Sequence, residues 1–355
     1  MNMQLFYRRL DLLLLILISA MLSGCASAPP QSPWEIKPAS DQVEERILDV
    51  MNSPFKIRLW KNGQNTSKAF QAASVELKRV AKIADQNDAQ SEISKVNRLA
   101  AKGSVKVSRE LFDLLTLGQN MWTRSGGVFD VTFLRIQEAT EKSGEDAGLG
   151  SGVLESASEV AHAVKSNVGS HNLTLDPSKL EVRFNKPGMK LGILGIAKGY
   201  AVQKAAEKLL AFKYPGAAVI GGGVLAASGK ALSDAQLMCI EHPNQLGTCA
   251  YRVLPKSTAS LFILGASAVG DRPGHIYDPK NGLRKARSGG VTVTGTDGAA
   301  VQAAATAAGA MDNKKTAAFL AKPGTPTLSG VYFESDYGIL LQGTLEPFAK
   351  TAPMR

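Results

Sequence analysis

The stretch Gly195-Ile-Ala-Lys198-Gly-Tyr200 decides the fold of this chain, because it opens a long helix with a charged side chain between small residues. Helical spacing behind it predicts a helix from Ala197 to Phe212. The residues expected to face inward are Val202, Ala205, Leu209 and Leu210. Lys198 then lies in the first turn, where free backbone amides and the helix dipole favour an anion. The segment predicts an anion site, although by itself it fits an exposed lysine equally well.

Three further polar segments have a similar character. They are Ser91-Glu-Ile-Ser94-Lys-Val-Asn97, Val128-Phe129-Asp130-Val-Thr132 and His275-Ile-Tyr-Asp278-Pro. Each joins groups that can hold a phosphate, a metal or a hydroxyl to a nearby glycine or helix start. Each also has an ordinary structural interpretation: serine and asparagine cap helices and turns, Asp130 forms an Asx turn, and loop histidines are more often structural. A neutral His275 imidazole would accept a hydroxyl proton.

The secondary-structure pattern predicts an α+β fold with mixed sheets and packed helices. Helices and strands are interspersed without regular βαβ alternation, which argues against a doubly wound sheet. The main predicted elements are a strand at Phe55–Trp60, helices from Ser67 to about Asp85 and from Ser108, a hairpin within Leu173–Val182, strands bracketing Gly221–Gly223, and an alanine-rich helix from about Gly298 to Met311.

The amino terminus predicts export and lipidation. Arg8 and Arg9 precede a short apolar run that ends in Leu22-Ser-Gly-Cys25, which is typical of a secretory signal. The run is shorter than the roughly 20 apolar residues of a membrane-spanning helix. Leu-Ser-Gly-Cys resembles a bacterial lipobox, so we expect a lipoprotein signal peptide at residues 1–24, a lipidated Cys25 and a tether at residues 25–45. The protein would then be anchored to a bacterial membrane and face the periplasm.

Charge and cysteine content narrow the possible partners. The net charge of +10 is spread along the chain without a long basic block, and few aromatic residues accompany the basic ones, so nucleic acid is not expected as a partner.

Cys239 and Cys249 flank a predicted turn between strands Gln236–Glu241 and Thr248–Leu254. They would form a disulfide or remain two buried thiols, and export permits oxidation.

Taken in chain order, these segments resemble the ApbE family, the FAD:protein FMN transferases. The resemblance covers about Met51 to Gly343 and rests on SxxSxxN, FDxT, IAKGY and HxxDPxxG together. It implies an ApbE-like compound domain at residues 46–345, with a central flavin cleft and a carboxyl-terminal tail at residues 346–355.

The family's activity implies a role for each matching residue. Members bind FAD and, with Mg²⁺, transfer its FMN half to a Thr or Ser hydroxyl of an exported acceptor protein, releasing AMP. The implied FAD-binding residues are Met51, Val128, Phe129, Asp130, Lys198 and Gly192. The implied magnesium-binding residues are Gly195, Gln302 and Thr306. His275, helped by Asp278, would be the catalytic base.

The chain departs from the family pattern on the metal side of the site. Val301-Gln302-Ala-Ala-Ala-Thr306 carries an amide where the family has an aspartate. Because Mg²⁺ prefers carboxylate oxygens, weaker metal binding is expected. Gly192 and Gln203 also replace family acids. Asp297 would either supply a displaced carboxylate or cap the helix that follows it, and the cap is favoured.

Three functions stay open at this point. The chain is an active flavin transferase, an FAD-binding lipoprotein that no longer transfers the flavin, or a lipoprotein that keeps the fold for protein contacts. Release of AMP together with a flavin-labelled acceptor would identify the first, and FAD binding without AMP release the second. Neither property would be found in the third.

Overall fold

An antiparallel sheet with helices packed on it organises the part of the chain that the computed structural model describes. That part comprises residues 42–142, 167–234, 237–242, 245–255, 261–269, 289–322, 328–333, 339–342 and 348–349. Every strand pairing within it is antiparallel. The predicted α+β class is confirmed.

The described part contains seven α-helices, which we number in chain order. They are α1 Ser67–Ala84, α2 Glu92–Leu99, α3 Arg109–Ser125, α4 Leu134–Lys142, α5 Leu194–Leu210, α6 Gly298–Gly309 and α7 Asn313–Ala321.

The strands of the described part form one large sheet and three small ones. They are β1 Val43–Val50, β2 Ser53–Trp60, β3 Val105–Lys106, β4 Leu173–Asp176, β5 Glu181–Phe184, β6 Gly216–Gly221, β7 Val224–Gly229, β8 Cys239–His242, β9 Gln245–Arg252, β10 Leu254–Pro255, β11 Phe262–Val269, β12 Gly289–Gly295, β13 Leu328–Phe333, β14 Ile339–Gln342 and β15 Phe348–Ala349. The large sheet has eight strands in the order β1-β2-β6-β7-β11-β12-β13-β14.

Two tight hairpin turns lie at the same end of the large sheet. Met51 and Asn52 join β1 to β2, while Gly222 and Gly223 join β6 to β7, and all four residues have positive φ. Such two-residue turns match the right-handed twist of the strands. Phe55, near the start of β2, pairs with the residue that ends β6, which places the two turns side by side. Met51, where the family resemblance begins, is the first of the two turn residues between β1 and β2.

Helix α6 is the buried centre of the fold. It packs against α5, β11 and β12, and all of its residues except Thr306 are buried. Small side chains suit this position because they let neighbouring backbones approach closely. A Cβ atom at Gly199 would lie 2.1 Å from the Gly298 carbonyl oxygen, and one at Gly298 would lie 2.4 Å from the Gly199 oxygen. Glycine is therefore required on both helices where α5 crosses α6.

Helix α5 starts three residues earlier than its sequence pattern predicts. It begins at Leu194 with Ile193 as its N-cap residue, so Lys198 is one turn inside the helix instead of in its first turn. The apolar Ile193-Leu194 pair carries no capping signal, and for that reason the sequence pattern misplaced the boundary. Leu210, expected to face inward, is 44% exposed because the helix ends there.

A network of hydrogen bonds and ion pairs connects α5 with α1 and α3 and fixes the orientation of α5 about its own axis. The Tyr200 hydroxyl donates a hydrogen bond to the Glu110 carboxylate, which also accepts one from Arg79 Nη2 at 2.8 Å. Arg79 in turn binds Glu76 on its own helix at 2.9 Å. Its guanidinium lowers the pKa of Glu110, and burial together with the Glu110 carboxylate raises the pKa of Tyr200.

The termini and the cysteine hairpin are described only in part. The predicted signal peptide and Cys25 lie outside the described residues, while β1 begins at Val43, inside the segment expected to be a tether. In the predicted tail, Phe348 and Ala349 pair with β10. Within the described ranges no helix combines the length and the apolar character needed to cross a bilayer.

Cys239 takes part in a disulfide bond. It lies on β8, which forms an irregular hairpin with β9, and the register sets Arg252 opposite Cys239 and Glu241 opposite Cys249. The two cysteines are thus on facing strands without being direct cross-strand partners. Their pairing with each other stays a prediction.

Replacing Gly199 with alanine should destabilise the fold strongly. The added methyl would meet the Gly298 backbone, and overpacking of this kind costs about 3 kcal/mol of the free energy of unfolding, because backbone cannot move aside as a side chain can. Urea denaturation measures the change. Gly103→Ala is the matched control, since a Cβ atom there meets nothing within 4 Å; equal effects of the two substitutions would contradict the close helix crossing.

Candidate functional site

Lys198 lies between the two hairpin turns. Its ammonium donates a hydrogen bond to the Ser53 hydroxyl, directly after the Met51-Asn52 turn. Its aliphatic stem packs on Gly222, where a Cβ atom would lie 2.6 Å from both Lys198 Cβ and Cδ. The absence of a side chain at Gly222 is therefore what admits the lysine, and the ammonium is held at a defined point at the end of the sheet.

The electrostatics of this point favour an anionic ligand. Burial lowers the pKa of Lys198, and the nearby Asp85 carboxylate opposes that shift in part. Asp85 is the C-cap residue of α1 and accepts a hydrogen bond from the Asn87 amide at 3.0 Å. A half-buried ammonium is poorly solvated, so a phosphate oxygen would restore the interactions that water cannot provide.

Met51 combines burial with an unfavourable backbone conformation. It is 2% exposed and has a φ of 52°, a region that residues other than glycine rarely adopt. Strain of this kind persists only where the surrounding structure imposes it, and it is concentrated at functional sites. Met51 is two residues from Ser53, so the strained turn borders Lys198. The contact of Met51 with a ligand stays a prediction.

Asp130 stabilises a loop junction. Its carboxylate accepts hydrogen bonds from the Thr132 amide at 2.8 Å and hydroxyl at 2.6 Å, and from the Ser170 amide at 3.1 Å and hydroxyl at 2.8 Å. Thr132 also accepts one from the Gly169 amide at 2.7 Å. Four bonds to a carboxylate that is nearly inaccessible to solvent leave it little capacity for a ligand. The Asx-turn interpretation is correct, extended by contacts to Gly169 and Ser170.

Phe129 brings this loop to the start of α5. A Cβ atom at Gly195 would lie 3.6 Å from Phe129 Cε2, so the ring packs beside that glycine. The Phe129 amide donates to the Ser125 hydroxyl at 2.9 Å, which fixes the loop to the end of α3. Val128 is half-buried against the core. The ring of Phe129, rather than the carboxylate of Asp130, is the group of this loop that lies next to α5.

The SxxSxxN segment is structural. Ser91 caps α2 by accepting from the Ser94 amide at 3.2 Å. Asn97 makes two hydrogen bonds to the backbone of Leu191, at 3.0 Å to its carbonyl and at 2.7 Å from its amide. The next residue, Gly192, donates to the Val131 carbonyl at 2.8 Å. The chain is therefore held firmly just before α5 begins.

A glutamine occupies the space beside Gly192. A Cβ atom at Gly192 would lie 3.0 Å from Gln86 Oε1 and 3.2 Å from Phe133 Cε1. Gln86 Oε1 is buried and has no hydrogen-bond partner among the described residues. The space in which a family acid would stand thus holds a neutral amide.

The residues expected to bind magnesium do not form a suitable donor set. Gln302 Oε1 accepts from the Gly199 amide at 2.7 Å, and Gln302 Nε2 donates to the Gly222 carbonyl at 3.1 Å, so both ends of the amide are engaged. The Thr306 hydroxyl donates to the Gln302 carbonyl at 3.0 Å. Asp297 caps α6 through the Ala300 amide at 2.9 Å, as favoured from the sequence.

In the part of the chain that the structure describes, no carboxylate joins Gln302, Thr306 and Gly195. Gly195 offers only a backbone carbonyl, and among the described side chains no cluster of three or more His, Cys, Asp or Glu residues could hold a metal ion. A hard ion such as Mg²⁺ requires oxygen ligands that are free and preferably charged. The described residues therefore do not fit a magnesium ion.

The structure brings Gln302 and Lys198 together at Gly222, Met51 close to Ser53, and Phe129 beside Gly195. Asp130 instead holds the loop that carries Phe129. His275 and Asp278 belong to residues 270–288, outside the described part. The strands that flank this segment meet where Val269 pairs with Gly289. Gly265 of β11 pairs with Val224, the first residue of β7 after the Gly222-Gly223 turn. The residues of β11 that follow Gly265 therefore extend beyond this turn, at the same end of the sheet.

Sequence reasoning missed several residues of this region. Ser53 has no motif, and its partner Lys198 is distant in the sequence. Gln86, Gly169 and Ser170 were also missed, because each acts through a long-range contact. The only local signal for Ser53 is its position after a Met-Asn pair between two strand-like segments, which is a weak indication of a tight turn.

The fold and the site together define an α+β protein with a half-buried lysine, Lys198, between two hairpin turns at one end of an antiparallel sheet. A sequence profile described as the ApbE family matches residues 51–328. Because the match covers well over half of the sequence, the chain belongs to the ApbE family.

Two proteins with similar sequences are both named FAD:protein FMN transferase. The chain is 30% identical over 112 residues to the FAD:protein FMN transferase of Chlamydia muridarum, covering 32% of this chain and 34% of that protein. It is 24% identical over 241 residues to the FAD:protein FMN transferase of Klebsiella pneumoniae, covering 66% and 71%. The alignment to the first relative thus spans only a minor part of that protein.

Solved structures share the fold at low sequence identity. The ApbE protein of Thermotoga maritima has a TM-score of 0.64 at 22% identity, over 87% of this chain and 100% of that one. The flavin transferase ApbE of Vibrio cholerae has a TM-score of 0.62 at 16% identity, over 86% and 100%. The similarity extends over nearly the whole of each solved chain, so the ApbE-like fold expected from the motifs is confirmed.

Replacing Asp130 with asparagine should lower stability by about 2–3 kcal/mol, because the new amide group would face buried donors that now bind a carboxylate. The free energy of unfolding at neutral pH measures this. Asp113→Asn is the control: that carboxylate forms an exposed pair with Arg109, worth about 0.5 kcal/mol or less. A stable Asp130→Asn protein that has lost only ligand binding would contradict the structural role.

Proposed function

We propose that this protein is an FAD:protein FMN transferase. The observation that carries the proposal is the half-buried Lys198 ammonium, held between the Met51-Asn52 turn and the Gly222-Gly223 turn. Membership of the ApbE family and the names of the sequence relatives support it. A diphosphate would lie against Lys198, where its negative charge would meet the ammonium that lies between the two turns.

Other residues of the site would orient the flavin. Met51 lies two residues from Ser53, the partner of Lys198, and the Phe129 ring lies beside Gly195 at the start of α5. These two apolar groups would contact the flavin portion of FAD. Asp130 would act indirectly, by holding the loop that carries Phe129 in place. Positioning of this kind accounts for much of the catalysis in phosphoryl transfer, because the protein has little covalent chemistry to perform.

The chemical step would be a substitution at phosphorus. The oxygen of a Thr or Ser hydroxyl on the acceptor protein would form a bond to the FMN phosphorus, while the bond from that phosphorus to the bridging oxygen of AMP breaks and AMP leaves. His275, assisted by Asp278, would take the hydroxyl proton. We assign no step to magnesium, because the described donors do not fit it.

The amino terminus would anchor this activity at a membrane. Cys25 in its lipobox-like context would carry the lipid, and the residues that follow would connect it to β1. The flavin site would then face the periplasm, where exported acceptor proteins are found. The proposal rests on the sequence of residues 1–25, and mass spectrometry of the mature protein would test it.

The second candidate is FAD binding without transfer. The specific observation in its favour is Gln302, whose amide oxygen and nitrogen each form a hydrogen bond to backbone, at a position where the family resemblance leads one to expect an aspartate. In that case the protein would hold or deliver FAD, and Lys198 would serve binding alone.

A transfer assay separates the two candidates. The full-length chain is mixed with FAD and a purified protein substrate of a characterised ApbE flavin transferase, with and without magnesium. An active transferase yields stoichiometric AMP and a fluorescent flavin adduct on the acceptor that survives denaturation. Bound FAD with neither product would reject transfer to this acceptor and support the binding function.

Lys198→Met should weaken FAD binding about tenfold or more, because a lost charge-assisted bond to a phosphate is worth at least about 1.4 kcal/mol. Fluorescence titration measures the affinity. Lys208→Met is the matched control, since Lys208 is exposed at the far end of the same helix. Equal affinities of the two variants would contradict a diphosphate at Lys198.

The affinity for FAD should also fall at alkaline pH. The protonated lysine binds the anion, and burial lowers its pKa in the free protein, so the loss should begin below the ordinary lysine value of about 10.4. Lys198→Met removes the titrating group and should flatten the profile. A wild-type affinity that is constant up to the ordinary lysine pKa would contradict this assignment.

A further inference from the structure

Gln302 links three parts of the site through one side chain. Its oxygen accepts from the Gly199 amide of α5 at 2.7 Å, and its nitrogen donates to the Gly222 carbonyl at 3.1 Å. The side chain is 7% exposed and belongs to α6. A single amide thus ties α6 to α5 and to the turn on which the stem of Lys198 packs.

A second glutamine makes the reciprocal contact. Gln203 of α5 accepts from the Gly298 amide at 2.6 Å, which is the first amide of α6 and has no partner within its own helix. Each helix therefore presents a glutamine to the backbone of the other, on either side of the close approach between Gly199 and Gly298. We call Gln203 and Gln302 the glutamine clasp.

The clasp requires an amide at position 302, because a carboxylate there would lack the donor to the Gly222 carbonyl. An ionised carboxylate only accepts hydrogen bonds, so it would keep the contact to the Gly199 amide but would turn an anionic oxygen toward the Gly222 carbonyl. That repulsion is severe at a buried site. Both positions of the clasp are ones at which the family resemblance leads one to expect an acid, and both acids are absent together.

We propose that the glutamine clasp takes the place of a metal ion in holding the wall of this site, so that the chain keeps its site geometry and binds FAD without a divalent cation. The FAD part of this inference rests on the proposed function, and the structural part does not. Gln302 is then a positioning residue: it fixes the Gly222 turn and, through it, the stem of Lys198.

The first test compares the full-length wild-type chain in EDTA and in millimolar magnesium chloride. A metal that binds the folded state raises the melting temperature. The proposal predicts the same melting temperature in both buffers, and an FAD affinity that changes less than about twofold. A higher melting temperature or a much tighter FAD complex in magnesium would overturn it.

The second test is Gln302→Glu, which keeps the shape of the side chain but replaces the donor to Gly222 with an anionic oxygen. The proposal predicts a lower melting temperature and FAD affinity weakened about tenfold, equally in EDTA and in magnesium. Recovery in magnesium would show that the position serves a metal and would overturn the clasp. Gln71→Glu adds the same charge at an exposed position of α1 and should change neither quantity.

A third variant keeps the test decisive if Gln302→Glu does not fold. Gln302→Met has similar length and no polar atoms, so it removes both hydrogen bonds without adding a buried charge. It should lose FAD affinity to the same extent with and without magnesium, and unchanged affinity would overturn the positioning role. If the wild-type chain binds no FAD in either buffer, the proposed function fails, while the melting temperatures still decide the structural part.

Discussion

The close contact between α5 and α6 is the constraint on which the rest of this structure depends. Gly199 and Gly298 let the two backbones approach until no side chain fits between them. At that distance, backbone amides of one helix can donate hydrogen bonds to side chains of the other. Gln302 accepts such a bond from Gly199, and Gln203 accepts one from Gly298. The contact fixes the start of α5, and therefore Lys198, against the turns at the end of the sheet.

The neighbouring elements support the same arrangement from other sides. Asn97 clamps the chain just before α5, and the Tyr200–Glu110 bond prevents the helix from rotating. Asp130 holds the loop whose Phe129 ring lies beside Gly195. Among the described residues, this scaffold is held by close packing and by hydrogen bonds of definite geometry. The amides of Gln203 and Gln302 take part in those hydrogen bonds.

The sequence predicted the parts of this structure that depend on local pattern. Helical spacing located α5 and α6, and the helix cap at Asp297 followed from its position. The failures have a common physical origin in contacts between residues far apart in the chain. Asp130 stabilises a loop because Ser170, which is distant in the sequence, donates hydrogen bonds to its carboxylate. Ser53 belongs to the site because the Lys198 ammonium donates a hydrogen bond to its hydroxyl. From the sequence, Gln302 was interpreted as a weakened metal ligand. Its hydrogen-bond partners, Gly199 and Gly222, could not be inferred from the sequence of α6 alone.

The most direct test of this account is a crystal structure of the full-length chain with FAD, grown in the presence of magnesium. The account predicts the FAD diphosphate against Lys198 and the Gly222 turn, with the Gln302 amide still bridging Gly199 and Gly222. A diphosphate bound elsewhere, or a Gln302 oxygen turned away from Gly199 to coordinate a magnesium ion, would contradict it.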